Sequence, residues 1–306
     1  MDGAPRSPDG LTLAAFAAAV TLGAGNFIGV RFSNRELEPF WGAGLRFAIA
    51  TTIFVGLMAA MRLRGPRGRD LVLTILFGAL GFGAFYALMY WALVRVSAGI
   101  ASVVMAVVPL LTVLFAWAQG QERLSLRSAA GALLALGGIL WMVIGPRDVS
   151  LPGTALAAML LAAACVAQSV ILGKRVSHQH PVVTNAIGLG TGTVILLGLS
   201  PLAGEAWTLP RQAEVVVAVG YLATAGSIGL FVLLLVVVRR WTASATSYMF
   251  VLFPVMTMLL DAVLLDEPIT AQGVVGAVLV MAGVWFGALS PGARRALAAA
   301  PEAAAA

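Results

Sequence analysis

The amino-acid sequence predicts an all-α integral membrane protein in which ten transmembrane helices form two inverted five-helix repeats. The prediction depends on the composition, on ten long apolar segments and on an internal repeat. Of the 306 residues, 60% are hydrophobic and only 10% are charged. A soluble domain is about half apolar and about a quarter charged. Apolar surface left in water costs on the order of 25 cal/mol per Å², so we expect lipid to surround most of this chain.

Ten apolar segments follow one another along the chain, separated by short loops. A helix needs roughly 20 apolar residues to cross a hydrocarbon core about 30 Å thick. The segments are residues 11–30, 40–61, 71–94, 98–118, 126–144, 154–173, 182–203, 213–238, 243–265 and 271–289. Backbone groups in lipid must form hydrogen bonds internally, so each segment is predicted to be a helix.

The basic residues predict the orientation in the membrane. If the N-terminus is cytoplasmic, 13 of the 19 basic residues lie on the cytoplasmic side, five lie outside and Arg46 lies within a span. An excess of Lys and Arg in cytoplasmic loops is the usual pattern. We therefore expect a multi-pass protein of a bacterial-type inner membrane with both termini in the cytoplasm. The net charge of +6 then reflects topology and not nucleic-acid binding.

The two halves of the chain align without a gap at an offset of 145 positions. Matched pairs are Gly81 with Gly226, Arg95 with Arg240, Pro109 with Pro254, Glu122 with Glu267, Gly131 with Gly276, Gly138 with Gly283 and Pro146 with Pro291. Each half has an odd number of spans, so the second half is predicted to be inverted in the bilayer. We place the repeats at residues 1–148 and 149–291, followed by a disordered cytoplasmic tail at 292–306. Inverted repeats are typical of secondary transporters, whose sites lie near the midplane.

Several segments carry a resemblance to a known family. They are residues 40–50 (FWGAGLRFAIA), 90–111 (YWALVRVSAGIASVVMAVVPLL), 122–139 (ERLSLRSAAGALLALGGI), 244–254 and 267–283. Over nearly its whole length the chain resembles EamA-like ten-helix transporters of the drug/metabolite transporter superfamily, and among them bacterial exporters of amino acids, including aromatic ones. The resemblance implies export of small metabolites by alternating access. It also implies a central cavity lined by helices one, three, four, six, eight and nine, with helices five and ten packed aside.

Two prolines near the middle of equivalent spans are candidates for the cavity wall. Proline has no backbone N–H, so Pro109 and Pro254 would free the carbonyls of Met105 and Phe250 for a ligand or a neighbouring helix. A packing kink is the alternative. The four glycines of the matched pairs in segments five and ten predict close helix packing there and not a site.

Polar and aromatic side chains within the spans complete the candidate cavity. The polar candidates are Asn26, Ser102, Gln168 and Ser227, and the aromatic candidates are Tyr86, Tyr90, Phe231 and Tyr248. Tyr86 and Tyr90 are four residues apart and share one helix face. Such a cavity would suit a substrate with an apolar side chain and a zwitterionic head. The alternatives are ordinary interhelical hydrogen bonds, worth about 0.6 kcal/mol each, and aromatic packing.

Arg46 and Asp261 are the charged residues deepest in the predicted spans. A charge at a helix centre costs roughly 2.5–3.5 kcal/mol, so neither is expected to face lipid alone. Both lie below the outer surface, where they could pair or share a polar network. Separate snorkelling to the surface is the alternative. Asp261 is also the only carboxylate deep within a predicted span, since Glu214 stands at the very start of segment 213–238, and it is hence the candidate proton carrier.

Other functions find less support in the sequence. It lacks the GxxxxGK[ST], GxSxG and HExxH motifs, so we expect no enzyme, no catalytic residue, no cofactor and no bound metal. The expected partners are a small-molecule substrate and the lipid bilayer, and a monomer is compatible with the sequence. A multidrug or lipophilic-cation exporter is the first alternative, which would need a carboxylate such as Asp261 in the cavity. A lipid flippase or an intramembrane enzyme is the second.

Overall fold

The computed structural model describes residues 10–120, 126–144, 152–230, 233, 237 and 249–289. Within these ranges all regular structure is helical, in ten segments. In chain order they are α1 Gly10–Ser33, α2 Pro39–Ala60, α3 Arg69–Leu93, α4 Ala98–Ala118, α5 Leu126–Ile144, α6 Gly153–Arg175, α7 Pro181–Leu202, α8 Ala213–Gly229, α9 Met249–Leu264 and α10, which is Ala271–Val284 continued by Trp285–Leu289. The predicted tail at 292–306 lies outside the described residues.

The predicted segments agree closely with the described helices. Segments 98–118 and 126–144 coincide with α4 and α5, and the predictions for 213–238 and 243–265 extend into residues outside the description. By length and composition, α1 to α4, α6 and α7 could cross a membrane. The remaining four helices are apolar but shorter within the described ranges. The all-helical class is confirmed there, and the count of ten membrane spans stays a prediction.

Helix starts follow from local chemistry. Pro39 and Pro181 open α2 and α7, where the missing N–H removes a donor that has no partner inside the helix. Ser97 caps α4, accepting a hydrogen bond from the backbone N of Ile100. Thr270 Oγ1 caps α10, accepting from the backbone N of Gly273 at 3.1 Å.

The chain forms two compact units, each of which draws on both halves of the sequence. The first contains Met1–Ile28, Ser97–Leu151 and Ala225–Ala306, and the second contains Gly29–Val96 and Pro152–Thr224. The units therefore differ from the predicted repeats, and α1 and α8 each contribute residues to both units.

In the first unit, α5 and α10 pack glycine against glycine. A Cβ atom built on Gly131 would lie 2.5 Å from the carbonyl oxygen of Gly283. One built on Gly138 would lie 2.9 Å from the carbonyl oxygen of Gly276. Residue numbers rise along α5 as they fall along α10, so the helices are antiparallel. The predicted close packing of segments five and ten is confirmed, because only glycine permits this approach.

Side-chain hydrogen bonds fasten both ends of the α5–α10 contact. Ser128 Oγ donates to the carbonyl oxygen of Gly287 at 2.9 Å. Gln272 Nε2 donates to the carbonyl oxygen of Met142 at 2.9 Å. Both bonds use a backbone carbonyl near a helix C-terminus, where the last carbonyls have no partner within the helix.

In the second unit, α2 and α7 form an antiparallel pair. A Cβ atom on Gly44 would lie 2.6 Å from Leu197 Cδ2. Thr51 Oγ1 and Thr193 Oγ1 form a hydrogen bond of 3.2 Å. At the N-terminus of α2, the Glu205 carboxylate accepts the backbone N–H groups of Phe40 and Trp41 at 3.0 and 2.8 Å. This carboxylate satisfies two donors that the helix leaves open.

Candidate substrate site

A buried arginine on α2 is the main charged feature of the second unit. The Arg46 side chain is 1% exposed. Its Cζ atom lies 5.2 Å from the ring centroid of Phe47 and 5.2 Å from that of Tyr86. Tyr90 and Tyr221 are further electrostatic neighbours of the guanidinium. A desolvated cation over aromatic faces gains about 2 kcal/mol, so the rings stabilise this charge away from water.

The rings around Arg46 belong to an aromatic array on α3. Phe82 and Tyr86 are near-parallel with centroids 6.5 Å apart, and Tyr86 and Tyr90 are 6.3 Å apart. Phe47 contacts Tyr86 edge-on at 4.6 Å. The four-residue spacing along α3 places these rings on one face. The structure thus brings Tyr86 and Tyr90 together as predicted and adds Phe47, Phe82 and Tyr221 to them.

These additional rings differ in how far the sequence could have revealed them. Phe82 precedes Tyr86 by four residues, and Phe47 adjoins Arg46. Both spacings were visible in the sequence. Tyr221 lies on α8, far along the chain, and no local pattern points to it.

A π-helical turn at Ala79–Ala84 interrupts α3, and another at Ala225–Gly229 forms the end of α8. A third, Trp285–Leu289, ends α10. In the first unit, Asn26 Nδ2 donates to the carbonyl oxygen of Gly226 at 3.0 Å. In the second unit, Ser169 Oγ donates to the carbonyl oxygen of Phe77, just before the other π turn, at 3.1 Å. Such turns are rare and frequently occur at functional sites. The sequence pointed to Asn26 but not to Ser169.

The two repeat-related prolines act differently on their helices. Pro109 is the second residue of a new helical piece, because α4 stops at Met105 and resumes at Val108. Pro254 lies inside the continuous helix α9. The missing N–H at Pro109 therefore coincides with a break in helix α4, whereas helix α9 continues through Pro254 without a break.

Several predicted polar candidates make local bonds. Ser102 is 1% exposed, and its Oγ donates to the carbonyl oxygen of Gly99 at 2.7 Å. This bond within α4 favours a packing role for Ser102. Gln168 and Ser227 are half-buried and engaged in further contacts.

Asp261 on α9 holds the start of α4 within the first unit. Asp261 is 3% exposed, and its Oδ2 accepts the backbone N–H of Gly99 at 2.8 Å. A carboxylate at a helix N-terminus is stabilised by the helix dipole. Asp261 therefore has a structural role as a helix cap. Arg46 belongs to the other unit, and its pairing with Asp261 stays a prediction.

Comparison with known proteins decides the family. The EamA-like transporter family matches residues 10–144 and again residues 153–288. The chain belongs to the EamA-like transporter family. It is thus a membrane transporter of this type, within the drug/metabolite transporter superfamily.

Relatives of this EamA-like transporter include named exporters. A probable terminal-alkyne amino-acid exporter of Streptantibioticus cattleyicolor is 31% identical, covering 81% of this chain and 84% of the relative. A probable amino-acid metabolite efflux pump of Salmonella typhimurium is 26% identical, covering 85% and 89%. The uncharacterized inner membrane transporter YedA of Escherichia coli is 31% identical, covering 84% and 83%. A known crystal structure with 20% identity has a TM-score of 0.64 and covers 93% of this chain and 98% of its own, which supports the fold alone.

The predicted site residues of this EamA-like transporter fall into three groups. Arg46, Tyr86, Tyr90 and Gln168 lie in the second unit. Asn26, Ser102, Met105, Pro109, Ser227, Pro254 and Asp261 lie in the first unit. Phe231 and Tyr248 lie outside the described residues, and of Phe250 only the helical backbone is described. A cavity shared by these groups is therefore part of the proposal below.

Proposed function

We propose that this chain is a secondary transporter that exports small metabolites, foremost amino acids, from a bacterial-type cell. It alternates access to a central midplane cavity between two inverted repeats, in an inner membrane, with both termini cytoplasmic. The observation that carries the mechanism is that helices from the two halves pack antiparallel through matched contacts. The family membership and the exporter names of two relatives support the direction and the substrate class.

The α5–α10 contact supports an inverted repeat in the first unit. Under the offset of 145 positions, Gly131 becomes Gly276 and Gly283 corresponds to Gly138. The contact between Gly131 and Gly283 therefore turns into the contact between Gly276 and Gly138, which is also present. A two-fold axis perpendicular to the helices exchanges contacts in this way. In a membrane such an axis lies in the bilayer plane, as inverted repeats require.

The hydrogen bonds at the two ends of this contact follow the same symmetry. The acceptor carbonyls belong to Met142 and Gly287, which are themselves 145 positions apart. The donors are Gln272 and Ser128. The equivalent of Ser128 is Gly273, adjacent to Gln272. Both repeats thus use a side chain in the first turns of one helix to bind the last carbonyls of its partner.

The α2–α7 pair supports a two-fold relation within the second unit as well. Pro39 and Pro181 open these helices and are 142 positions apart. Thr51 and Thr193 are also 142 positions apart, and their hydroxyls bind each other. A residue that contacts its own equivalent must lie on the two-fold axis.

The π turns indicate where the helices could bend. The turns at Ala79–Ala84 and Ala225–Gly229 occupy equivalent positions, since Gly81 in the first matches Gly226 in the second. A π turn replaces the i→i+4 hydrogen bonds of the α-helix by i→i+5 bonds, and such turns frequently occur at functional sites. We assign to both turns the bending of α3 and α8 during the change of access.

Arg46 is the proposed binding residue for the substrate carboxylate. A guanidinium binds a carboxylate through two parallel charge-assisted hydrogen bonds. The rings of Phe47, Tyr86 and Tyr90 beside it offer apolar surface for a substrate side chain. Because Arg46 is buried in this conformation, the substrate reaches it only after α2 or α3 moves. The alternative of a lipophilic-cation exporter finds less support, since Asp261 caps α4.

Transport into proteoliposomes tests this function. The purified protein is reconstituted, and uptake of a panel of labelled amino acids is measured with and without a proton gradient. We expect saturable flux of at least one amino acid. No saturable flux of any of them would overturn the substrate class. Flux independent of the gradient would remove the proposed proton role of Asp261.

Variants of Arg46 test its role in that flux. Losing a hydrogen bond to a charged group costs about 1.5–3 kcal/mol, so Arg46→Gln is expected to raise KM about tenfold to a hundredfold. The exposed Arg95, which lies over the Trp91 ring, supplies the control Arg95→Gln. Amino-acid amides lack the carboxylate, so competition by amides should be equal in the Arg46→Gln variant and the parent. If amino acids retain the parent KM in Arg46→Gln, the carboxylate role is wrong.

A further inference from the structure

The loop between α2 and α3 concentrates exposed arginines. Arg62, Arg64, Arg67 and Arg69 are all exposed. Across the described ranges, no hydrogen bond or ion pair is formed by any of these four guanidinium groups. A cluster of at least four basic residues next to a membrane helix is the pattern that binds anionic lipids.

The backbone fixes this loop at both ends. Arg62 has φ 51°, and its N–H donates to the carbonyl oxygen of Ala59 at 3.0 Å, while Leu63 N donates to that of Met58 at 3.0 Å. This is the Schellman arrangement that ends a helix. At the other end Gly68 has φ 57° and precedes α3. Between these points Arg64, Gly65, Pro66 and Arg67 line an open pocket with a volume of about 570 Å³.

A second basic segment lies at the same end of the second unit. His178 Nε2 lies 3.1 Å from Asp70 Oδ2, and Gln179 accepts a hydrogen bond from Thr74 Oγ1 at 3.1 Å. These contacts join the α6–α7 loop to the start of α3. They bring the end of α6, with Lys174 and Arg175, to the side of the arginine loop.

Acidic residues of this unit gather at its other end. Glu36 accepts the backbone N–H groups of Arg211 and Gln212, and Glu205 caps α2. Glu214 pairs with Arg35 at 3.0 Å. At the basic end of this unit, among its own described residues, the sole carboxylate is that of Asp70. Carboxylates and arginines occur together at this other end, whereas the basic end of the unit carries an excess of positive charge.

We propose that the basic end, made of Arg62, Arg64, Arg67, Arg69, Lys174 and Arg175, binds the phosphate groups of anionic phospholipids in the adjacent leaflet. Guanidinium groups bind phosphate oxygens in pairs, with shorter and stronger bonds than neutral donors form. The position between two membrane helices places the arginines at headgroup depth. This proposal is independent of the transported substrate, so its failure would leave the proposed function untouched.

Lipid titration of the purified full-length protein tests the proposal. Thermal unfolding is followed in a neutral detergent with added phosphatidylglycerol or with phosphatidylcholine of the same acyl chains. We expect phosphatidylglycerol to raise Tm at concentrations at which phosphatidylcholine does not. The double variant Arg64→Gln with Arg67→Gln should need about thirtyfold more phosphatidylglycerol for the same rise, because each basic residue adds separately to the attraction.

Two control variants separate local binding from net charge and from folding. Arg95→Gln with Arg211→Gln removes the same charge at the opposite end and should respond like the parent. Arg64→Lys with Arg67→Lys keeps the charge and should retain most of the response. An equal loss in both glutamine doubles, or an unchanged response in Arg64→Gln with Arg67→Gln, would overturn the proposal. Competition by millimolar inorganic phosphate would assign the site to free phosphate instead of lipid.

Discussion

A glycine-to-alanine exchange on α5 offers a sharp test of the α5–α10 contact. A Cβ atom at position 138 would lie 2.9 Å from the carbonyl oxygen of Gly276 and 2.9 Å from the backbone N of Val280. The neighbouring Gly137 has no atom within 4 Å of an added Cβ. Gly138→Ala and Gly137→Ala therefore make the same chemical change on one helix, one inside the contact and one outside it.

The expected magnitude follows from comparing the two variants. In a helix interior, alanine is more favourable than glycine by about 0.5–1 kcal/mol, and this gain is common to both positions. The atoms facing position 138 include backbone, so α10 must move away by roughly 0.5 Å. A gap of about 0.5–1 Å forfeits a quarter to a half of each dispersion contact. With the usual cost of overpacking, Gly138→Ala should lose about 1–3 kcal/mol of unfolding free energy relative to Gly137→Ala.

Unfolding of the two purified variants in one detergent measures this difference. The Gly137→Ala variant should unfold at a slightly higher temperature than the parent protein. Gly138→Ala should unfold several degrees lower. Equal stability of the two alanine variants would refute the backbone contact between α5 and α10.

Variants at four further positions test other contacts of the described residues. Asp261→Asn keeps an oxygen for the N–H of Gly99 and should cost about 0.3–1 kcal/mol of unfolding free energy, whereas Asp261→Ala should cost about 1–3 kcal/mol; similar costs for both would contradict the cap. Glu205→Ala removes the cap of α2 and should destabilise the protein by about 1 kcal/mol in a chemical-denaturation assay, with Glu205→Gln intermediate. Asn26→Ala and Ser169→Ala each free a carbonyl near a π turn, so hydrogen exchange should accelerate at α8 and α3 respectively. Unchanged exchange at both helices would remove the assigned bending role.

Helix positions were predictable from the sequence because lipid imposes a simple rule on length and polarity. The predicted segments 98–118 and 126–144 coincide with α4 and α5 for this reason. The glycine contact was also predictable, since a small residue repeated every seven positions marks a close helix interface. Both inferences need only local spacing.

The site residues make contacts with other helices, and the spacing of residues within one segment does not predict such contacts. The same local rule applies to Pro109 and Pro254, yet only Pro109 lies at a helix break, as the second residue of the piece that begins at Val108. Asp261 finds its partner at Gly99, 162 positions earlier. Tyr221, on another helix, is an electrostatic neighbour of Arg46. The π turns were not predicted either, because they arise from a shift of backbone hydrogen bonds that any apolar sequence can adopt.

The position of Arg46 argues for function over packing. Under the offset of 142 positions that relates α2 to α7, Arg46 corresponds to Gly188. A Cβ on Gly188 would lie 3.1 Å from Phe82 and 3.2 Å from Phe77, so rings of α3 already fill that equivalent space. Packing at the position of Gly188 therefore requires no side chain. By the same relation, packing alone does not require a charged side chain at position 46. A guanidinium costs energy to bury, and its presence in only one of the two proposed repeats supports the proposal that Arg46 binds an asymmetric ligand such as an amino acid.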